Sequence, residues 1–486
     1  GIGKGGGRMA GAPRRLSRRC FVARLTAALP VVALTGLSAC ADATTVNPVT
    51  SATSSAARTG MSVSGSAAST AAAKAAPNSA AVQLTWGGED GTFVAAGHKA
   101  EIDAFNKANP GIQVTYVPIS AILSDAPAKL QTMIAGGDPP DFFEIGSSYY
   151  ASVVAKGILL NLGSFIARSK DFNVGDFFPV VWQAFLYQNN PYAIPREGAP
   201  TVLFYNADMF QKAGLKLPPT NLKDADWWTN EVFLDSARKL TQQSGGQTSV
   251  FGYSAPQNAW QAFLFSFGGD ILNADNTKCV FDSSASVTGF QWMQDAIYVD
   301  KVAPQPADLQ KTAQNKLFEA GRAAMILTRR SQSGEFAQII KGMTWKLGPF
   351  PKGPAGRISD MISNVVSVSA QTKHPAEAFT AASYMESTAG HLLRMQFAQQ
   401  IGVPQRKSVV ESQQFLNNIM SPAENQLVID QIATAKFQPP MTPFWPQAGA
   451  AVSKAFGPLW TGQQKAQEVM TTLVPQVNAI LSGQGG

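Results

Sequence analysis

Apolar and polar residues alternate over 82–86 (Val-Gln-Leu-Thr-Trp), which predicts a strand, and Gly87-Gly88-Glu89-Asp90-Gly91 after it reads as a turn-rich loop. Ile102 and Phe105 stand at helical spacing in 98–107, and Asn109-Pro110-Gly111 stops that helix before a strand at 112–117. The stretch 129–162 continues the alternation. A helix over 129–135 ends at Gly136-Gly137, and Asp138-Pro139-Pro140 cannot extend it. Phe142-Phe143-Glu144-Ile145 is a short apolar strand, 146–150 a loop of small and aromatic residues, and a further helix runs to Lys156 and breaks at Gly157. Helix and strand thus alternate as in a doubly wound α/β sheet, whose ligand loops lie at the carboxyl ends of the strands.

Further along, 231–242 and 260–267 read as helices, 250–253 and 324–327 as strands, and 448–486 as mostly helical with breaks at Gly457-Pro458 and Pro475. A chain of 486 residues can hold two domains.

The formal charge of +7 suggests an anionic partner until it is located. Lys4, Arg8, Arg14, Arg15, Arg18, Arg19 and Arg24 precede residue 40 with no acid among them; setting these seven aside from 39 leaves 32 basic residues against 32 acidic. The excess belongs to the N-terminal segment, and a nucleic-acid partner is excluded. A basic run, an apolar stretch over 25–37 too short to span a bilayer, and Leu37-Ser38-Ala39-Cys40 form a signal peptide over 1–40. Its end resembles the lipobox of bacterial lipoproteins, which implies lipidation of Cys40 and anchoring at the outer face of the cell membrane. Arg18-Arg19 and their neighbours resemble the twin-arginine signal, with ordinary export as the alternative. Residues 41–80, rich in Ala, Ser and Thr, are expected to be a disordered tether. Cys279 has no disulfide partner, and His98, His374 and His391 are too scattered for a metal set, so no cofactor is expected.

Several segments carry a family resemblance. Phe105-Asn106-Lys107-Ala108-Asn109-Pro110-Gly111-Ile112-Gln113-Val114, Gly137-Asp138-Pro139-Pro140-Asp141, and 157–162 are similar to consecutive motifs of the bacterial extracellular solute-binding proteins, the sugar-binding family of ABC importers that includes maltose-binding protein. So are Tyr192-Ala193-Ile194-Pro195 with Leu203-Phe204-Tyr205-Asn206 (Phe204 where Tyr is usual), 318–325, and Gly402-Val403-Pro404-Gln405-Arg406. The resemblance implies a two-lobed α/β periplasmic-binding-protein-like fold, each lobe a doubly wound sheet, with a hinge between them. Crossings are expected near 195–201, at Pro349-Phe350-Pro351-Lys352-Gly353-Pro354, and after Gly402. Lobe one is then 81–196 and 356–404, and lobe two 197–355 and 405–486.

The implied function is capture of a sugar or oligosaccharide in the inter-lobe cleft by a monomer, and delivery to permease subunits without catalysis. Sugars need aromatic platforms for their C–H faces and carboxylate, amide, hydroxyl or Arg groups for their hydroxyls. The candidates are Trp86, Glu89 and Asp90 after the first strand; Ser147, Ser148 and Tyr149 in the loop at 146–150; Glu197 at a crossing; Trp260 and Asp270; Arg329; Ser363 and Asn364; and Trp445. For Trp86 core packing weighs equally, and for Glu197 so does a hinge salt bridge. Asp141 reads as a structural turn residue. Trp445 is similar to an aromatic in the family's C-terminal loop, and its proline-rich setting places it off a regular helix. One alternative is an anionic ligand such as a glycerophosphodiester or sugar phosphate, which requires several cationic groups at the cleft. A secreted glycosidase, the remote alternative, requires a carboxylate pair that no spacing selects.

Overall fold

A computed structural model describes residues 81–89, 94–120, 126–254, 256–397, 402–438 and 442–483. The signal peptide, Cys40, the tether and Asp90 lie outside them.

The first strand, Val82–Glu89, pairs in parallel with Ile112–Ser120 and Phe142–Gly146. It runs through Gly87 and Gly88, where the sequence suggested a turn. A side chain at Gly87 would meet Ile119 at 2.3 Å, so the glycines serve close packing within the strand. Helices Ala95–Ala108, Pro375–Met385 and Thr388–Phe397 cover this part, and Leu84, Trp86, Phe105, Phe142 and Phe379 fill its core. Asp141 is scaffold here: its carboxylate accepts from the Thr85 N–H at 2.8 Å and hydroxyl at 3.0 Å, and from the Thr372 hydroxyl at 2.6 Å.

The element that joins the two halves is Ile194–Asn206, 13 residues long and almost wholly buried. Its first half pairs antiparallel with Asp360–Val368, which also pairs antiparallel with Phe142–Gly146. Its second half lies between Met325–Arg329 and Trp345–Gly348, both antiparallel. One strand is therefore shared by two parts of a nine-stranded sheet. Val403–Pro404 adds to the same strand at Gly198 and Glu197. Three backbones crowd at that point. A Cβ on Gly198 would meet Gln405 at 2.6 Å, and one on Gly402 would meet the Gly198 carbonyl at 2.8 Å.

The second half has few regular strands of its own. Single backbone bridges, Phe251 to Ala323 and Ser254 to Ile326, stand where a longer strand over 250–253 was expected. Its core comes from helices Asn230–Leu240, Trp260–Ser266, Ser284–Tyr298, Trp445–Ala455 and Ala466–Leu481, the last of which accommodates Pro475 without breaking.

Three local expectations are corrected. Residues 349–354 pack onto the second half rather than crossing: the Lys352 N–H donates to the Trp228 carbonyl at 2.9 Å, and a Cβ on Gly353 would meet the Ser266 carbonyl at 2.3 Å. The crossing that follows them is the strand Asp360–Val368. Residues 147–150 are the first turn of helix Ser147–Ala155, with Gly146 as its N-cap, so strand passes to helix without a loop. Trp445 likewise opens a regular helix, with Pro446 in the first turn, where its missing N–H costs nothing.

Candidate functional site

Where the two halves meet, a cavity of about 400 Å³ opens beside the crossing strands. Ser148 and Tyr149 reach it from the first half, Trp260, Gln261 and Trp445 from the second, and Ile362 and Gln438 from the crossings. Small residues of the Trp445–Ala455 helix (Gly449, Ala450, Ser453) keep that wall low. Trp260 is held edge-on by Phe456, ring centroids 5.2 Å apart, and stacks on Phe290 at 5.7 Å. Among the described residues every lining side chain is aromatic, aliphatic, hydroxyl or amide, and none is charged.

Gln438 organises the floor. It bonds Gln261 and the buried Asp360 carboxylate, which also accepts from Arg329 at 2.7 Å. The Gln438 carbonyl accepts from the Ser147 hydroxyl at 3.1 Å. Arg329 and Ser147 thus support the floor from behind rather than lining the cavity, because the ion pair with Asp360 and the bond to the Gln438 carbonyl engage them. Asp270 stands apart on the surface, paired with Lys436 at 2.8 Å. Trp86 is fully buried between His98 and Phe142, in the core and away from any opening.

A second cavity of about 200 Å³ adjoins the first across Ile362, which lines both. Glu89, Glu197, Ser363, Asn364 and Gly402 surround it. Beneath lies a buried charge network. Arg196 bonds Glu386 and stands 3.6 Å from Glu144 and 3.7 Å from Glu101; Arg394 stands 3.1 Å from Glu101 and 3.6 Å from Glu197. The two histidines are neutral members. Nδ1 of His98 faces an Arg196 guanidinium nitrogen at 3.2 Å and Nδ1 of His391 faces Arg394 at 2.8 Å, so both must accept. Burial and those cations push His98 down to about 3 and His391 to about 4. Glu386 is held at about 2, because Arg196, His391 and Arg394 outweigh its burial. Burial raises Glu101 to about 6, and burial with the charges of Glu144 and Glu197 raises Glu89 to about 8.

A pH dependence follows. Carboxylates raised above 4.5 in the folded state contribute stability below that pH and lose it as pH rises: Glu101 towards 6, Glu89 towards 8, with the raised Glu144 acting in the same direction. The depressed histidines act oppositely, their stabilisation being complete above 6.5. Between about pH 6.5 and 8.5 the melting temperature should fall, and fall less steeply in Glu89→Gln; parallel melting curves would contradict the assignment.

The family model of bacterial extracellular solute-binding proteins matches residues 86–391. The chain belongs to this family. Among relatives of this solute-binding protein, a binding protein of Brucella abortus is 24% identical over 386 residues, covering 78% of this chain and 88% of its own. The ABC substrate-binding protein Lmo0181 of Listeria monocytogenes, solved with cycloalternan, superposes with a TM-score of 0.72 at 24% identity, over 83% of this chain and 99% of that one. UgpB of Mycobacterium tuberculosis, solved with glycerophosphocholine, superposes at 0.68 and 15% identity, over 84% and 99%. These are two-lobed proteins, and they give this chain its fold: the two sheet halves are lobes, and the cavities lie between them. No helix among the described residues is long and apolar enough to cross a membrane, and no group of His, Cys, Asp and Glu there could hold a metal.

Gln261 and Gln438 escaped the sequence reading, which anticipated of the network around Arg196 only a salt bridge for Glu197. Gln261 had one usable signal, its position beside Trp260. Gln438 had none, since its role depends on a crossing that only tertiary pairing defines.

Proposed function

We propose that this solute-binding protein captures a sugar or oligosaccharide in the inter-lobe cleft and delivers it to the permease of an ABC importer. The observation that carries this reading is the uncharged cavity walled by Tyr149, Trp260 and Trp445, with Ser148, Gln261 and Gln438 for hydroxyls. Cycloalternan in the Listeria relative supports it. UgpB was solved with glycerophosphocholine, a zwitterionic phosphodiester; its phosphate calls for a free cation, and Arg329 is committed to Asp360.

Closure is about the strands Ile194–Asn206 and Asp360–Val368, with lobe one built on 81–196 and 356–404 and lobe two on 197–355 and 405–486. The contacts argue for adding 405–416 to lobe one, since Ser408 bonds Asp176 and Gln414 bonds the Leu392 carbonyl. The protein acts as a monomer, tethered by 41–80 to a lipid on Cys40 at the outer face of the membrane. It performs no chemistry; release of products from any oligosaccharide would overturn that.

A melting screen against sugars tests the reading. A ligand at a hundredfold excess over its Kd stabilises the protein by about 2.7 kcal/mol. A shift with sugars is expected; shifts confined to phosphorylated ligands would reject it.

A further inference from the structure

We propose that the ligand carries a basic group, as in an amino sugar, whose ammonium occupies the second cavity between Glu89 and Glu197 while a ring rests on the aromatic wall of the first. This deepens the carbohydrate reading and rests on it.

The two cavities differ in chemistry although Ile362 lines both. Among the described residues the first is lined by no charged side chain, and the second by Glu89 and Glu197 without a cation. Behind the second, Arg196 and Arg394 stand among five carboxylates, Glu89, Glu101, Glu144, Glu197 and Glu386, with Arg330 acting on Glu197 and Arg406 on Glu386 from the edge of the group. The histidines among them accept from the guanidiniums and add no charge. The carboxyl groups outnumber these guanidiniums five to four, and burial answers the mismatch by raising Glu89, Glu101 and Glu144 towards their protonated forms.

An independent sign of an absent partner is Glu144. It is 3% exposed, it lines the narrow space of about 10 Å³ beneath Glu89 and Glu197, and its Oε2 finds no hydrogen-bond partner among the described residues. A buried carboxylate oxygen without a donor is costly, and a donor delivered from outside removes that cost. An ammonium has three donors and a full charge, so it satisfies carboxylate oxygens and cancels excess charge together; a hydroxyl supplies one donor and no charge. The proton that Glu89 retains up to about pH 8 is the protein's own partial remedy, which an ammonium would displace. Asn364 remains for a neighbouring hydroxyl, whereas the buried Ser363 hydroxyl already donates to the Glu197 carbonyl at 2.9 Å.

The test uses calorimetric titration with matched glucosamine oligosaccharides, fully N-acetylated or fully deacetylated, at about pH 6, where the amine is protonated. The deacetylated form is expected to bind about tenfold tighter or more, and Glu89→Gln/Glu197→Gln to reduce that preference below about threefold, with folding checked by melting. Single Glu197→Gln serves if the double variant does not fold, and should reduce the preference at least by half. Equal affinity for both forms, or a preference unchanged in the variants, would overturn the ammonium site and leave the carbohydrate reading standing. Failure of both forms together with every sugar in the melting screen would overturn both.

Discussion

Replacing Arg196 by Met is expected to lower the unfolding free energy by about 3–5 kcal/mol, the usual cost of removing one partner from a buried ion pair. Arg196 is 1% exposed and faces Glu386, Glu144 and Glu101, so its loss deprives three buried carboxylates of a shared guanidinium. Methionine fills much of the stem's volume, which isolates the charge from the packing. In the native protein Glu386, held at about 2, contributes stability above its ordinary 4.5 that is lost only as pH falls towards 2. Without Arg196 that contribution goes, and the stranded carboxylates favour their protonated forms. The deficit should accordingly be larger at about pH 8 than at about pH 4.5. Urea denaturation at both values measures it; a loss under about 1 kcal/mol, or one independent of pH, would show that the network does not hold the hinge strand.

Tyr149→Ala and Trp260→Ala should each weaken sugar binding about tenfold, or about 1.4 kcal/mol, since each removes a stacking face from the first cavity. The two sit on opposite lobes, so their effects should nearly add if the ligand touches both. Trp260 also packs on Phe281, Phe290 and Phe456, so its variant will melt lower, whereas Tyr149 is partly buried with fewer such contacts. Trp445→Ala is the poorer probe. The sequence suggests that it could be removed without unfolding, but the residue is 9% exposed and belongs to the core of the second lobe. Truncation there costs about 3–5 kcal/mol by itself. Calorimetry with melting controls separates the two effects; affinity unchanged in both Tyr149→Ala and Trp260→Ala would remove the aromatic wall from the site.

Much of the fold was legible because strand and helix periods are local. The opening order of strand and helix, the stop at Gly136-Gly137 and the short apolar strand at Phe142 all follow from residues within a turn or two of each other. The resemblance then supplied the two-lobed plan. What local pattern could not supply was the hinge. Pro349 to Pro354 looks like a connection by composition, yet Gly353 is there because a backbone carbonyl leaves no room for a side chain. Gly87 and Gly88 read as a turn and are strand, for the same reason of close packing. The site divides likewise. Ser148 and Tyr149 stood out at a strand end, Trp260 beside a turn and Trp445 by resemblance to a family loop, and the structure brings these four to one cavity. Glu89, Glu197, Ser363 and Asn364 meet in another. Trp86, Arg329 and Asp270 had equally suitable chemistry, but burial and ion pairing engage them elsewhere. No sequence signal reports that.

The most direct test of the account is a crystal structure of the protein with the tightest-binding sugar from the melting screen. The account predicts a ring between Tyr149 of one lobe and Trp260 and Trp445 of the other, within hydrogen-bond reach of Gln261 and Gln438. A sugar bound outside that space, for instance in the groove lined by Phe172, Tyr384 and Arg406 on the first lobe, would contradict it.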